Sequence, residues 1–194
     1  MNQVIQNIVN LESKIFDLSS VVLDVGTGGF LGANSIDHYK NLLLEENIYC
    51  IEIKKEPANL LKNKYKNSKI TCLEEDFFLH VNPDGKKYDT IFMDIDTNVF
   101  TERFPEIVNK SKTLLKKNGY LIQMTLGSID DVRYLTNSEK IIKYFKNNYK
   151  NLWNTDNILT SNKFKDIIKN KFVFLKSFEK PDYPFINYAI LQNI

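Results

Sequence analysis

Arginine is almost missing from this chain: Arg103 and Arg133 stand alone among 194 residues, against 24 lysines. Asparagine (23) and isoleucine (21) are heavy, and with lysine they make up about a third of the sequence. That is the imprint of an A/T-rich genome, so lysine- and asparagine-rich patches carry little functional meaning alone. An excess of one charge is also lacking. The 26 basic and 24 acidic residues leave a net charge of +2, which excludes a strong global field for nucleic acid or anionic membrane. There are two cysteines, Cys50 and Cys72, both inside apolar, strand-like runs. Two make no disulfide framework, and they read as buried free thiols in a reducing compartment. No apolar run approaches the roughly 20 residues that span a bilayer. The N-terminus has no basic start followed by an apolar stretch, as a signal peptide would. A cytoplasmic protein without membrane attachment is expected.

What is present is a globular composition. Hydrophobic residues are 43% of the chain, with 13 Phe and 10 Tyr, too apolar for disorder. The length suits one domain, 1–194, with one well-formed core.

Periodicity supplies the architecture. Val4, Ile5, Ile8, Leu11, Ile15 and Leu18 fall at helical spacing and predict an N-terminal helix over 3–18. Val21-Val22-Leu23 then runs into Asp24 and a cluster of glycines, a buried strand ending in a turn. Ile36, Tyr39, Leu42 and Leu43 predict a helix over 33–46. Residues 48–53 form a second strand, followed by a helix with Pro57 in its first turn. A third strand covers 69–74. After the Asn82-Pro83-Asp84-Gly85 turn a fourth runs from Tyr88 to Ile95. A helix over 102–117 ends in Lys116-Lys117-Asn118-Gly119, basic residues and a glycine cap, and Tyr120–Thr125 is the fifth strand. This alternation argues a parallel sheet covered by helices. A last helix over 161–170 precedes strands Phe172–Phe178 and Ile186–Gln192. Their link, Glu179–Phe185, is too short for a helical crossover, so one of the two must run antiparallel. The expected fold is α/β: a Rossmann-like, doubly wound seven-stranded sheet, mostly parallel, with a C-terminal antiparallel hairpin.

Ligands of doubly wound sheets lie beyond the carboxyl ends of the strands, where strand order reverses. Asp24-Val25-Gly26-Thr27-Gly28-Gly29-Phe30-Leu31-Gly32 stands at the end of the first strand, and its glycines permit positive φ and close backbone approach to a ligand. Alone that is a weak signal. It gains force from acids at the ends of the next three strands. Glu52, followed by Ile53, ends the second, where a carboxylate can accept both hydroxyls of a ribose. Asp76 follows the third with Phe77 beside it, an acceptor for an amino group next to an apolar surface, which suits adenine. Asp94 ends the fourth, next to where a reacting group would sit.

These residues carry a family resemblance. From about residue 18 to 194 the chain resembles the class I S-adenosylmethionine-dependent methyltransferases. Val22-Leu23-Asp24-Val25-Gly26-Thr27-Gly28 looks like their first motif, and Tyr49-Cys50-Ile51-Glu52-Ile53 is similar to their second. Glu75-Asp76-Phe77 looks like their adenine contact. Tyr88-Asp89-Thr90-Ile91-Phe92-Met93-Asp94 and Leu114–Ile122 resemble the fourth and fifth strand signatures, and the terminal hairpin is a family hallmark. One departure is Phe30, where a glycine is often found. The resemblance implies S-adenosylmethionine as cofactor, held by Asp24, Gly26, Thr27, Gly28, Gly29, Glu52, Ile53, Asp76 and Phe77. Asp94 is then the candidate to hold or deprotonate the nucleophile. It implies methyl transfer to O or N of a small molecule or glycan, with an RNA methyltransferase and an inactive cofactor-binding domain as alternatives.

Weaker signals stand beside these. An extended short-chain dehydrogenase would need a downstream Tyr-x-x-x-Lys, and the only such spacing is Tyr65 with Lys69, too early in the chain. An aminopropyl transferase usually adds an N-terminal β domain, and none is readable. Asp94 and Asp96 resemble a Mg²⁺ pair, but Met124-Thr125-Leu126 replaces the Asp-Asn of cation-dependent enzymes, so no metal is expected. His38 and His80 read as surface or packing histidines, with His80 on the correct edge for a base. The stretch 127–158, with Trp153 and interleaved lysines, reads as an amphipathic helix packed on the domain, or else a lid or substrate insert.

Overall fold

The structure of the chain, a computed structural model, describes residues 2–26, 35–93, 103–126, 161–180 and 183–194. Seven strands form one sheet: β1 (Val22–Val25), β2 (Ile48–Glu52), β3 (Thr71–Glu74), β4 (Tyr88–Met93), β5 (Leu115–Leu126), β6 (Phe172–Lys180) and β7 (Tyr183–Asn193). Their order is β3-β2-β1-β4-β5-β7-β6. β1, β2, β3, β4 and β5 pair in parallel, and β7 lies antiparallel between β5 and β6. The chain therefore moves outward from β1 to β3 and restarts on the other side at β4. That reversal opens a crevice between the carboxyl ends of β1 and β4. The doubly wound sheet and its terminal hairpin are as expected from the sequence.

Alternating side chains divide the core into two layers, as the two-residue strand period requires. Val22, Ile48, Cys50, Phe92, Ile122, Tyr188 and Ile190 face one layer. Helices α1 (Asn2–Leu11), α2 (Ile36–Tyr39) and α3 (Lys55–Lys64) close it, contributing Val4, Ile5, Ile8, Ile36, Tyr39 and Leu61. Leu23, Val25, Tyr49, Ile51, Ile91, Met93, Leu121 and Leu191 face the other layer. It is covered by α4 (Phe104–Leu114) and α5 (Ser161–Ile168), where Phe104 and Phe164 stack with centroids 4.8 Å apart.

Three expected elements differ. The N-terminal helix stops at Leu11, and a short 3-10 turn, Ser13–Phe16, follows. The break frees backbone acceptors that a continuous helix would have used. The Thr90 hydroxyl, buried in β4, donates to Ile15 O at 2.8 Å, and Ser20 Oγ donates to Lys14 O at 3.0 Å. Leu18, expected inside, is 61% exposed. The helix expected over 33–46 survives only as α2, followed by 3-10 turns at Lys40–Leu42 and Glu45–Asn47. Leu43 there is extended (φ −129°, ψ 161°), which puts its side chain inside while Leu42 and Leu44 stay exposed. Gly119 is not a helix cap. α4 ends at Leu114, Asn118 carries the positive φ of 61°, and β5 already runs through this segment. A Cβ on Gly119 would stand 2.9 Å from Asp89 O and 3.0 Å from Lys116 O. The glycine lets backbones touch where the β4–β5 register shifts between Tyr88 and Thr90. No helix among the described residues is long and apolar enough to cross a membrane.

Candidate functional site

The crevice begins at Gly26, the residue after β1. Its φ is 78°, and its N–H donates to Ile51 O at 3.1 Å, which extends the ladder to β2 by one step before the chain turns away. Thr27, Gly28, Gly29 and Phe30 lie outside the described residues. The chain is described again from Ser35, and there the role of Asp24 becomes visible. Asp24 is fully buried; Ser35 Oγ and Tyr39 OH each donate to its Oδ2 at 2.6 Å. One carboxylate on β1 thus ties down the point where the glycine-rich segment ends and α2 begins. Burial, reinforced by the Asp24 charge, pushes the Tyr39 hydroxyl far above its ordinary pKa and keeps it a donor.

Glu52 ends β2 on the same face as Cys50, whose register partner on β1 is Asp24. It is 8% exposed, and its Oε1 accepts the N–H of Lys54 at 3.1 Å, a turn that stops the strand. Glu52 makes no ion pair with any described residue. Ile53 beside it is 63% exposed.

β3 carries the next acids. Glu75 N donates to Glu52 O at 3.2 Å, so the ladder persists past the strand. Asp76 then closes a tight turn: its Oδ1 accepts Phe78 N–H at 2.9 Å, and its carbonyl accepts from Leu79 N and His80 N, both at 3.0 Å. Phe77, named from the sequence as the apolar surface, is buried in the layer under α4 and α5. Phe78 packs edge-on against it at 5.5 Å and is half-buried, with the Arg103 guanidinium 3.6 Å over its ring. Of the two rings, Phe78 is the more accessible beside Asp76.

His80 has no exposed surface. Nδ1 lies 2.8 Å from Glu75 Oε2 and Nε2 lies 2.7 Å from the Tyr88 hydroxyl. A proton on Nδ1 serves the carboxylate and leaves Nε2 to accept from the phenol. Burial, with Tyr49 and Glu75 nearby, holds the Tyr88 hydroxyl above its usual range. Tyr49 donates in turn to Asp84, and burial together with that bond pushes its hydroxyl up to about 12. With both ring nitrogens engaged, His80 is a packing histidine that fixes the turn carrying Asp76, and is not on the surface.

β4 reaches Met93 at the crevice, and Asp94 lies just beyond the described residues, as do Asp96 and the stretch 127–158. Across from Met93 on β5 stands Gln123, which the sequence reading did not single out. It is fully buried; its Nε2 donates to Met124 O at 3.0 Å, and its Oε1 has no partner among the described residues. A buried acceptor left unsatisfied one register step from the candidate reacting residue invites a functional explanation. The only cue in the sequence is a polar residue inside an apolar strand.

No family model and no curated protein matches the chain. Solved structures do match. The N-methyltransferase NodS from Bradyrhizobium japonicum WM9 superimposes with a TM-score of 0.62 at 11% identity, over 97% of this chain and 94% of that one. Magnesium protoporphyrin IX methyltransferase (ChlM) from Synechocystis PCC 6803, solved with bound SAM, gives 0.65 at 15% identity, over 100% of this chain and 79% of that one. A SAM-dependent methyltransferase from Aquifex aeolicus gives 0.62 at 14%, over 97% and 89%. At these identities the likeness is one of fold, and the chain has the class I methyltransferase fold.

Proposed function

We propose that the chain is an S-adenosylmethionine-dependent methyltransferase that methylates O or N on a small molecule or glycan. The observation that carries this reading is Glu52. It is a nearly buried carboxylate at the end of β2, beside the Asp24-anchored crevice, and it forms no ion pair with a described residue. A carboxylate so placed, with no cation beside it among the described residues, suits two neighbouring ribose hydroxyls. Gly26 turns the backbone away at the crevice mouth, which suits the methionine part of the cofactor. Asp76 and Phe78 offer an acceptor beside an aromatic face, which suits adenine. Among the structural neighbours, NodS was also solved with S-adenosyl-L-homocysteine and ChlM with SAM, which supports the same cofactor here.

The cofactor supplies an activated methyl group on a sulfonium. The protein's part is to bind, orient and exclude water. In this reading Asp94 holds the acceptor nucleophile or takes its proton, and the Gln123 carbonyl oxygen accepts the N–H or O–H of the acceptor. Thr27, Gly28, Gly29 and Ile53 complete the cofactor contacts. The near-neutral charge gives no particular support to an RNA acceptor.

Calorimetric titration with S-adenosylhomocysteine tests the cofactor assignment. Micromolar affinity is expected, with Glu52→Ala weakening it at least tenfold, about 1.4 kcal/mol or more. Absence of binding to the wild type would remove the reading. Binding without methyl transfer across a screen of labelled metabolite and RNA acceptors would support an inactive binding domain instead.

A further inference from the structure

The two cysteines take no part in the proposed methyl transfer, yet the fold brings them together. Cys50 and Cys72 are register partners on the adjacent parallel strands β2 and β3, with sulfurs 3.0 Å apart. Neighbouring strands lie about 4.8 Å apart, inside the roughly 4.4–6.8 Å range of Cα separations that disulfides bridge. Bond formation therefore asks for side-chain rotation and little movement of the strands. β3 is an edge strand of the sheet, and Cys72 on it is half-buried while Cys50 is fully buried.

The two thiols are also electrostatically unequal. A hydrogen bond from Cys50 holds the Cys72 thiol below its ordinary pKa, against the opposing effect of burial and with help from the Lys62 charge. The same bond, burial, and the charges of Cys72, Asp24 and Glu52 push Cys50 well up. The thiolate is the nucleophilic form. Cys72, half-buried on the edge strand, is the sulfur that an oxidant reaches first, and buried Cys50 is the resolving one, an arrangement typical of oxidant-responsive cysteines.

We propose that Cys50 and Cys72 form a reversible modification site that closes to an intramolecular disulfide on reaction with a hydroperoxide. The Cys72 thiolate attacks a peroxide oxygen, the O–O bond breaks, and hydroxide leaves to be protonated to water. Cys72 is then a sulfenic acid. The Cys50 sulfur attacks it, the S–O bond breaks, and the departing hydroxide carries away the Cys50 proton as a second water. Two thiols and one hydrogen peroxide become one disulfide and two waters, and a dithiol reductant reverses the change. β2 and β3 end in Glu52 and in the Glu75-Asp76 turn, so the bond would join the two strands that carry the acids of the crevice. The proposal does not depend on what those acids bind.

Titration of the wild-type chain with hydrogen peroxide, followed by intact-mass and peptide mass spectrometry without reductant, tests it. The expected result is loss of two hydrogens per chain, loss of iodoacetamide labelling at both cysteines when labelling is done in denaturant, and a peptide linking Cys50 to Cys72. Dithiothreitol should restore full labelling. In Cys50→Ser, Cys72 should accumulate as a dimedone-reactive sulfenic acid. In Cys72→Ser, Cys50 should stay reduced at the same peroxide dose. Full labelling of both cysteines after peroxide in the wild type would overturn the proposal. So would oxidation of wild-type Cys72 to sulfinic acid, or disulfides formed only between chains.

Discussion

Asp24 lies one residue before the end of an apolar strand, where a sequence reader sees a ligand contact, but its described bonds are internal. Two hydroxyls, from Ser35 and Tyr39, converge on one buried oxygen. Tyr39→Phe isolates one of them, because the ring remains stacked on Phe16 at 4.8 Å and only the hydroxyl is lost. A hydrogen bond to a charged group is worth roughly 1.5–3 kcal/mol. Urea unfolding should show a loss of that size for Tyr39→Phe, and an unchanged midpoint would mean Asp24 is satisfied without it. The acids at strand ends were legible because each follows a run of apolar residues whose period is plain. Ser35 and Tyr39 were not, because their partner lies 11 and 15 positions away and the meeting depends on the path of the loop. Gln123 and the Glu75–His80–Tyr88 chain were equally hidden. A polar residue in an apolar run looks the same whether it is satisfied, orphaned or exposed.

At the scale of elements, strand periodicity survived and helix length did not. Strands had two apolar layers to face, so their side chains are sorted whatever happens at the ends. The expected helices over 3–18 and 33–46 broke where side chains from elsewhere, Thr90 for the first, captured backbone groups or where Leu43 had to turn inward. Gly119 shows the same limit. A glycine after lysines reads as a cap, but its use is the backbone contact with Asp89 and Lys116. Gly119→Ala should cost about 1–3 kcal/mol, since the crowding atoms are backbone and cannot rotate away; chemical denaturation measures it. Charge joins elements as well. Asp37 on α2 accepts from Lys40, from Lys64 on α3 and from Tyr65. Burial alone would raise its pKa, but these bonds outweigh it and bring the carboxyl down to about 2 from 3.8. A depressed folded value means the contribution is fully present above about 4 and is lost as the pH falls toward 2. Asp37 is half-buried, with a third of its side chain still open to water, so screening keeps the effect modest. Asp37→Asn should flatten the stability profile between those pH values by lowering the neutral plateau by that modest amount while leaving the acid limit nearly unchanged, as followed by thermal melts across pH.

For the molecule as a whole, the proposed ligand should act on folding and not only on the crevice. The cofactor would contact residues after β1, β2, β3 and β4, the four strands on either side of the point where strand order reverses. Those contacts exist together only when the sheet is assembled, so S-adenosylhomocysteine should bind the folded chain and ignore the unfolded one. Linkage then fixes the size of the effect: at about 100 times Kd the ligand stabilises by roughly 2.7 kcal/mol. A domain of this length gains about 2–4 °C in Tm per kcal/mol, so a rise of roughly 5–11 °C is expected. Glu52→Ala, at least tenfold weaker in binding, should lose about half of that rise or more at the same ligand concentration; without ligand it should change only by the lost hydrogen bond from Lys54 N–H, because Glu52 makes no described ion pair for the fold to lose. A glycine-rich turn that merely packed a helix would leave both proteins unmoved by the ligand, and scanning fluorimetry separates the two outcomes.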